Sequence, residues 1–276
     1  MTHQRKLFLE GSLLLFILTG CSFSTSSSTP TSSEEATTGC DSCATSSSSQ
    51  GTSSEDGSVP STSLPSSHSG SSSFSNDTDF TFALANDSSG YIAISYGGNA
   101  TSIIIPDNYD SKPVIGVGDY LFYQNATILN VTLPSTLKTI GMASFKGATQ
   151  LYAIVLPSSL ISLGTDAFSG CSQLSSVTWS NRSTATLTTI GNNAFEECPL
   201  AQIDLPSSLT EIKSRAFADC LYLGRVDLYG SVPPIRANNS FEGCPSGLDF
   251  YVPSDALTAY QTSSYWSGFA TQLYNR

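Results

Sequence analysis

Between residues 114 and 253 the apolar and polar positions of the chain recur in one register. Leu156-Pro157-Ser158-Ser159-Leu160 is followed by Leu163-Gly164, Ala167-Phe168, Cys171 and Leu174. The string returns as Leu133-Pro134-Ser135-Thr136-Leu137 with Ile140-Gly141, Ala143 and Phe145. It returns again as Leu205-Pro206-Ser207-Ser208-Leu209 with Ile212, Ala216-Phe217 and Cys220. Looser copies carry Ile190-Gly191, Ala194-Phe195 and Cys198, then Phe241 and Cys244. Phe122, Phe145, Phe168, Phe195, Phe217 and Phe241 fall 22 to 27 residues apart. A period of that length predicts a solenoid, in which each unit buries its apolar side only by stacking on its neighbours.

Inside each copy the spacing is that of a strand. Ile128, Val131 and Leu133 match Leu151, Ile154 and Leu156, then Leu174, Val177 and Trp179, then Leu200, Ile203 and Leu205, then Leu223, Val226 and Leu228. The last pair in each set occupies alternate positions, so one short strand per copy faces the core and stacking builds a parallel sheet. Proline directly after it ends the strand, because it has no N–H for the ladder. A second extended piece leads to Ile140, Leu163, Ile190 or Ile212. Glycine with a polar pair then opens a tight turn or a single helical turn that brings Ala-Phe inward.

The ends of the array are expected to be capped, since a terminal repeat would otherwise expose an apolar face. Upstream, Phe80, Phe82 and Leu84, then Tyr91, Ile92, Ile94 and Tyr96, alternate around the turn residues Asn86 to Gly90. That pattern predicts a β-hairpin within residues 79–106. Downstream, Ser254 stands as the N-cap of a helix from Asp255, with Tyr265, Trp266, Phe269 and Leu273 closing the last repeat. The expected fold is a mainly-β repeat solenoid with short parallel strands, single helical turns, an N-terminal hairpin cap and a C-terminal helical cap.

The consensus Leu-x-x-Ile-x-Leu-Pro-x-x-Leu-x-x-Ile-Gly-x-x-Ala-Phe-x-x-Cys resembles the BspA-like class of bacterial leucine-rich repeat, also called the Treponema pallidum type. The resemblance covers about half the chain, from Val114 to Pro253. It implies a surface-exposed or secreted bacterial protein that binds other macromolecules, and it does not imply an enzyme.

The amino terminus fits that picture. Arg5 and Lys6 precede a short apolar core from Ser12 to Leu18, which ends in Leu18-Thr19-Gly20-Cys21. This is the anatomy of a secretory leader, and its ending resembles the bacterial lipoprotein box, whose cysteine is lipidated. The apolar run falls short of the roughly 20 residues that a membrane-spanning helix needs. Cys21 is therefore the expected lipidation site, holding the protein to a membrane at the cell surface. Residues 1–20 read as the leader, 21–78 as a Ser/Thr-rich tether and 79–276 as the capped solenoid. Too little apolar side chain exists in the tether to offset the entropy of ordering it. As a flexible coil of about 55 residues it would span on the order of 40 Å. Cys40 and Cys43 within it read as a local disulfide or as two exposed thiols.

Candidate chemistry narrows the function by exclusion. The chain has 2 histidines, His3 in the leader and His68 in the tether, so the repeats hold no Ser-His-Asp or Cys-His set and no histidine metal ligand. Among the glycines there is no phosphate loop or dinucleotide fingerprint. Asp107 with Asp110, and Glu196 with Glu197, sit at turn positions where acids are ordinarily solvated. Asp and Glu number 22 against 11 Lys and Arg, a net charge of −11, which disfavours nucleic acid as a partner. Cys171, Cys198, Cys220 and Cys244 share one repeat position, where a four-thiolate metal site, disulfides or small buried residues are the alternatives. Ala148 at that position keeps the size without the chemistry, which favours the last. No cofactor and no metal is expected.

What remains is a binding face. The residue between the two inward strand positions points outward, because side chains alternate across a strand. Those residues are Thr132, Val155, Thr178, Asp204, Asp227 and Tyr251, with Asn130, Ala153, Ser176, Gln202 and Arg225 beside them. At about 4.8 Å per strand the rows would span on the order of 25 Å, enough for a peptide or protein loop. Mixed polar, charged and apolar residues there favour a binder of a protein or glycan ligand over a passive component of the cell envelope.

Overall fold

The computed structural model describes residues 75–276; Cys21, Cys40, Cys43 and His68 lie outside the described residues. The described chain opens with the antiparallel hairpin β1 (Phe80–Leu84) and β2 (Tyr91–Tyr96), followed by β3 (Ser102–Ile104), β4 (Asn108–Tyr109) and β5 (Lys112–Val117). Each later repeat supplies one longer and one two-residue strand: β6 (Asn130–Thr132) with β7 (Thr139–Ile140), β8 (Ala153–Leu156) with β9 (Ser162–Leu163), β10 (Ser176–Trp179) with β11 (Thr189–Ile190), β12 (Gln202–Leu205) with β13 (Glu211–Ile212) and β14 (Arg225–Leu228) with β15 (Ile235–Arg236). β16 (Asp249–Val252), α1 (Leu257–Thr262) and β17 (Leu273–Asn275) finish the chain.

Three sides result. The short strands join in one nine-stranded sheet ordered β1-β2-β5-β7-β9-β11-β13-β15, with β4 on β5. The longer strands form two separate parallel sheets, β10-β8-β6-β3 and β12-β14-β16-β17. The third side carries the phenylalanines and has no regular strand, yet it too is hydrogen-bonded from repeat to repeat. Phe122, Phe145, Phe168, Phe195 and Phe217 each donate N–H to a carbonyl of the next repeat at 2.7 to 2.8 Å. Residues on either side of the phenylalanine adopt left-handed backbone, as at Ala143 (φ 51°) and Gly147 (φ 72°) around Phe145, and Asp166 (φ 57°) and Gly170 (φ 68°) around Phe168. Such geometry costs a non-glycine residue about 1–2 kcal/mol. Here it turns the flanking N–H groups onto the next repeat as well, from Ala143 to Thr165 and from Gly147 to Ser169.

The phenylalanine rings form one column. Centroids from Phe145 to Phe241 are 5.0 to 5.4 Å apart with planes within 9° of parallel. Tyr96 and Phe80 close the column at one end, and Phe250, Trp266 and Phe269 at the other. The serine or threonine before the second leucine of the repeat has a defined task. Ser159 Oγ donates to Leu137 O (2.7 Å), Thr136 Oγ1 to Val114 O (2.8 Å) and Ser208 Oγ to Leu187 O (2.7 Å), tying the corner after each proline to the preceding repeat.

Both caps form, with different details from the sequence pattern. The hairpin carries a bulge between Thr81 and Phe82. Ala93, not Ile94, therefore faces the core, and Leu84 and Ile94 stay exposed. The terminal helix begins at Leu257 with Ala256 at its N-cap position and no side-chain cap, so Ser254 does not play the role its type predicted. Trp266 and Tyr260 are fully buried and hydrogen-bond Pro234 O and Gly230 O. The chain then returns as β17 to extend the β16 edge, an element no periodicity announced.

The four cysteines lie along the column as free thiols. Each Sγ donates to the carbonyl of the previous repeat's phenylalanine: Cys171 to Phe145 (3.0 Å), Cys198 to Phe168 (3.2 Å), Cys220 to Phe195 (3.1 Å) and Cys244 to Phe217 (3.1 Å). Every thiol thus has its own partner rather than a common point. Burial pushes Cys171 up to about 12 and Cys244 up to about 11, and raises Cys198 and Cys220 as well.

Candidate binding face

The outward residues of the longer strands split into two halves. On the first sheet Thr132, Val155 and Thr178 are exposed, aligned across β6, β8 and β10 with Ile104 of β3. Val155 keeps 53 % of its surface and Ile104 keeps 44 %. Beside Thr132 and Val155 runs a groove of about 230 Å³ shared with Leu133, Ser135 and Pro157. No charge lies on this half.

On the second sheet the predicted residues mostly engage one another. Gln202 and Arg225 are exposed, and Asp204 and Tyr251 half-buried. Asp227 departs from the expectation. It points to the outer side, but its side chain is only 7 % exposed because two arginines cover it. Arg225 grips both carboxylate oxygens through Nε and Nη2 (Nη2–Oδ1 2.8 Å) and lies 3.8 Å over the Tyr251 ring. Arg276 places Nε 3.5 Å from Asp227 Oδ1 and stacks 3.4 Å from the centre of the Tyr229 ring. Arg182 stacks on the same ring at 3.5 Å and binds Asp204 at 2.7 Å. Two guanidinium groups that close to one centroid need opposite faces of the ring, so Tyr229 is clamped between them. Tyr229 and Arg276 carried no signal in the repeat pattern, since neither sits at a repeated outward position.

The row is also not continuous. No backbone ladder joins β10 to β12. After Ala148, Cys171 and Cys220 two residues separate the cysteine position from the leucine that precedes the strand, but Cys198-Pro199-Leu200 has one. The copy before it has the longest spacing, lengthened by the turn Arg182–Thr184. These two changes offset β12 from β10. Trp179, expected to point inward like the leucines at its position, is half-buried and bridges the break by donating its indole N–H to Asp204 O at 2.9 Å. A cleft of about 180 Å³ remains there, lined by Thr178, Trp179, Arg182, Gln202 and Asp204 over a floor of Val177 and Ile203. A larger groove of about 370 Å³ lies at Cys198, Pro199, Leu221 and Tyr222, outside the longer-strand sheets. Its wall is mainly apolar, and the polar residues of its lining are Ser172, Glu197 and Asp219.

Comparison with known proteins agrees with this architecture. The model of the BspA type leucine rich repeat region matches in six copies, over residues 115–244 and 182–267. A leucine-rich repeat protein of T. pallidum is similar at 26 % identity and a TM-score of 0.54, over 71 % of this chain and 94 % of that one. A leucine-rich repeat protein from Eubacterium ventriosum aligns at 23 % identity and a TM-score of 0.41, over 57 % of this chain and 48 % of that one. A leucine rich cell surface protein from Faecalibacterium prausnitzii aligns at 17 % identity and a TM-score of 0.24, over 73 % of this chain and 93 % of that one. No curated protein matches the chain.

Proposed function

The chain belongs to the BspA-type leucine-rich repeat family, a family of repeat scaffolds, and from that premise we propose that it is a cell-surface binding module. Lipid at Cys21 anchors it, the Ser/Thr-rich segment holds it off the membrane, and the solenoid contacts a macromolecular ligand through the outer face of its longer strands. The observation that carries this reading is the division of that face. Ile104, Thr132, Val155 and Thr178 present β-branched side chains to solvent, whereas Arg225, Asp227, Arg276 and Tyr251 bind each other. A contact surface gains most where apolar side chains are already exposed and no intramolecular pair must break. The contact therefore centres on β6, β8 and β10, and Arg225 and Tyr251 contribute mainly to holding the carboxyl-terminal end together.

The test is capture of the full-length chain on an array of extracellular-matrix proteins and cell-surface glycans. Val155→Arg and Thr132→Arg, on exposed positions, should abolish capture by whichever component binds, with thermal midpoints unchanged. Retention of full capture by both variants would move the site off this face. Absence of any captured component would remove the binding reading itself.

A further inference from the structure

At the break between β10 and β12 the outer side of the solenoid opens into a polar cleft with the size and chemistry of a ligand site. Elsewhere on this side the strand backbones satisfy one another across parallel ladders. Here two strands face each other without a ladder, and unpaired backbone groups seek partners from whatever fills the gap. Exposed Thr178 and Gln202 stand at its rim. Trp179 lines it between the core and the gap, its indole N–H donated to Asp204 O at 2.9 Å. Arg182 and Asp204 close the cleft as a mutual pair at 2.7 Å.

We propose that this cleft binds a single uncharged sugar ring, the terminal or branch residue of a glycan. Ionic ligands are disfavoured by the pairing: an anion would meet Asp204, and a cation would meet Arg182. A hydroxyl both donates and accepts, so a ring with several hydroxyls can answer strand N–H and C=O groups, the Gln202 amide and the Thr178 hydroxyl together. The less polar side of such a ring suits the apolar part of the lining, Val177, Trp179 and Ile203. At about 180 Å³ the cleft is below the roughly 300 Å³ at which pockets for drug-sized ligands begin, so it takes one ring and not a chain of them. The inference deepens the proposed function, because Thr178, Gln202 and Asp204 belong to the same outer face.

The experiment is a titration of the full-length chain with the methyl glycosides of glucose, mannose, galactose and N-acetylglucosamine, followed by tryptophan fluorescence and by saturation-transfer NMR. The chain has two tryptophans, and Trp266 is fully buried, so a fluorescence change reports Trp179 and should vanish in Trp179→Phe. A saturable response to at least one glycoside is expected, with a dissociation constant on the order of 1 mM for a ligand of about a dozen heavy atoms. Gln202→Ala and Thr178→Val should each weaken it about tenfold or more with no change in thermal midpoint, while Tyr222→Ala at the apolar groove should leave it intact. No saturable response to any of the four in either readout overturns the inference, as does a response that both cleft variants retain. The Val155→Arg variant separates the two readings. Loss of macromolecular capture without loss of glycoside binding supports both, whereas capture that depends on Val155 in a chain that binds no glycoside sinks only the cleft.

Discussion

Replacing Phe168 by alanine removes a ring from the middle of the aromatic column. Phe168 has no exposed surface, and its ring lies 5.0 Å from that of Phe145 and 5.4 Å from that of Phe195, within 4° and 2° of parallel. A buried phenylalanine cut to alanine costs about 3–5 kcal/mol, of which part is the transfer of the ring and part the cavity left behind. The high end is expected, because the backbone on both sides is pinned by the N–H bonds from Phe145 to Ala167 and from Phe168 to Ala194, each 2.8 Å. Such pinning prevents the neighbouring repeats from closing over the void. At about 2–4 °C per kcal/mol for a chain of this size, the thermal midpoint falls by roughly 6–20 °C. Phe168→Leu, which retains most of the volume, should cost about 1 kcal/mol. Urea unfolding of the three proteins measures the differences, and hydrogen exchange locates them. Amides of Ala143 to Gly147 and of Ala194 to Cys198 should lose protection before those of the caps, since a linear array transmits damage only to its neighbours. A wild-type unfolding midpoint for Phe168→Ala, with the same denaturant slope, would show that the column does not hold the fold.

Two glycine substitutions separate backbone strain from close approach. Gly170→Ala should cost about 1–2 kcal/mol, because φ is +68° while the nearest atom to a new Cβ is 4.0 Å away. Gly191→Ala should cost about 3 kcal/mol or more, because its Cβ would stand 2.5 Å from the Gly164 backbone; equal losses in chemical denaturation would refute the distinction. The buried thiols predict a stability loss in alkali. Their native pKa is raised above the ordinary 9.0, to about 12 for Cys171, so the unfolded chain releases protons first and stability is full below pH 9 and falls progressively toward pH 12. Urea midpoints across that range should show the decline, and the triple variant Cys171→Ala, Cys198→Ala, Cys220→Ala should flatten it. Asp227→Ala leaves Arg225 and Arg276 without their shared carboxylate; both are partly exposed, so the loss should be about 1–3 kcal/mol. Exchange of the Leu273–Asn275 amides should speed up most, and unchanged exchange there would remove Asp227 from the latch on β17. Cys21→Ala should abolish partitioning into membranes, and mass spectrometry of the mature protein should find acylated cysteine at that residue; a mature terminus elsewhere without lipid would refute the anchor.

The repeat itself was legible because every copy repeats the same burial problem. Leucine and isoleucine at strand period, proline after them, and phenylalanine and cysteine at one fixed distance reveal which positions face inward. The column of rings and the cysteine ladder follow from that alone, and Ala148 in a cysteine position already argued for a packing role. The outward face was less legible, since alternation states the side of the sheet and not what lies over it. Asp227 obeys the alternation and is still buried, because Arg276 reaches it from the far end of the chain.

Sequence by itself determined the elements whose cause is local or periodic: the strands of the repeats, the corners after proline and the caps as requirements. Only the tertiary structure decided what depends on two segments meeting. Ala143, Asp166 and Arg215 have no residue type in common, yet all adopt left-handed backbone, a cost that the inter-repeat hydrogen bonds and packing offset. One residue fewer at Pro199 and one added turn at Arg182–Thr184 look minor in the string, but in a stack every strand takes its register from the one before. The offset therefore opens the ladder between β10 and β12 and leaves Trp179, still packed against the core, lining a cleft as well.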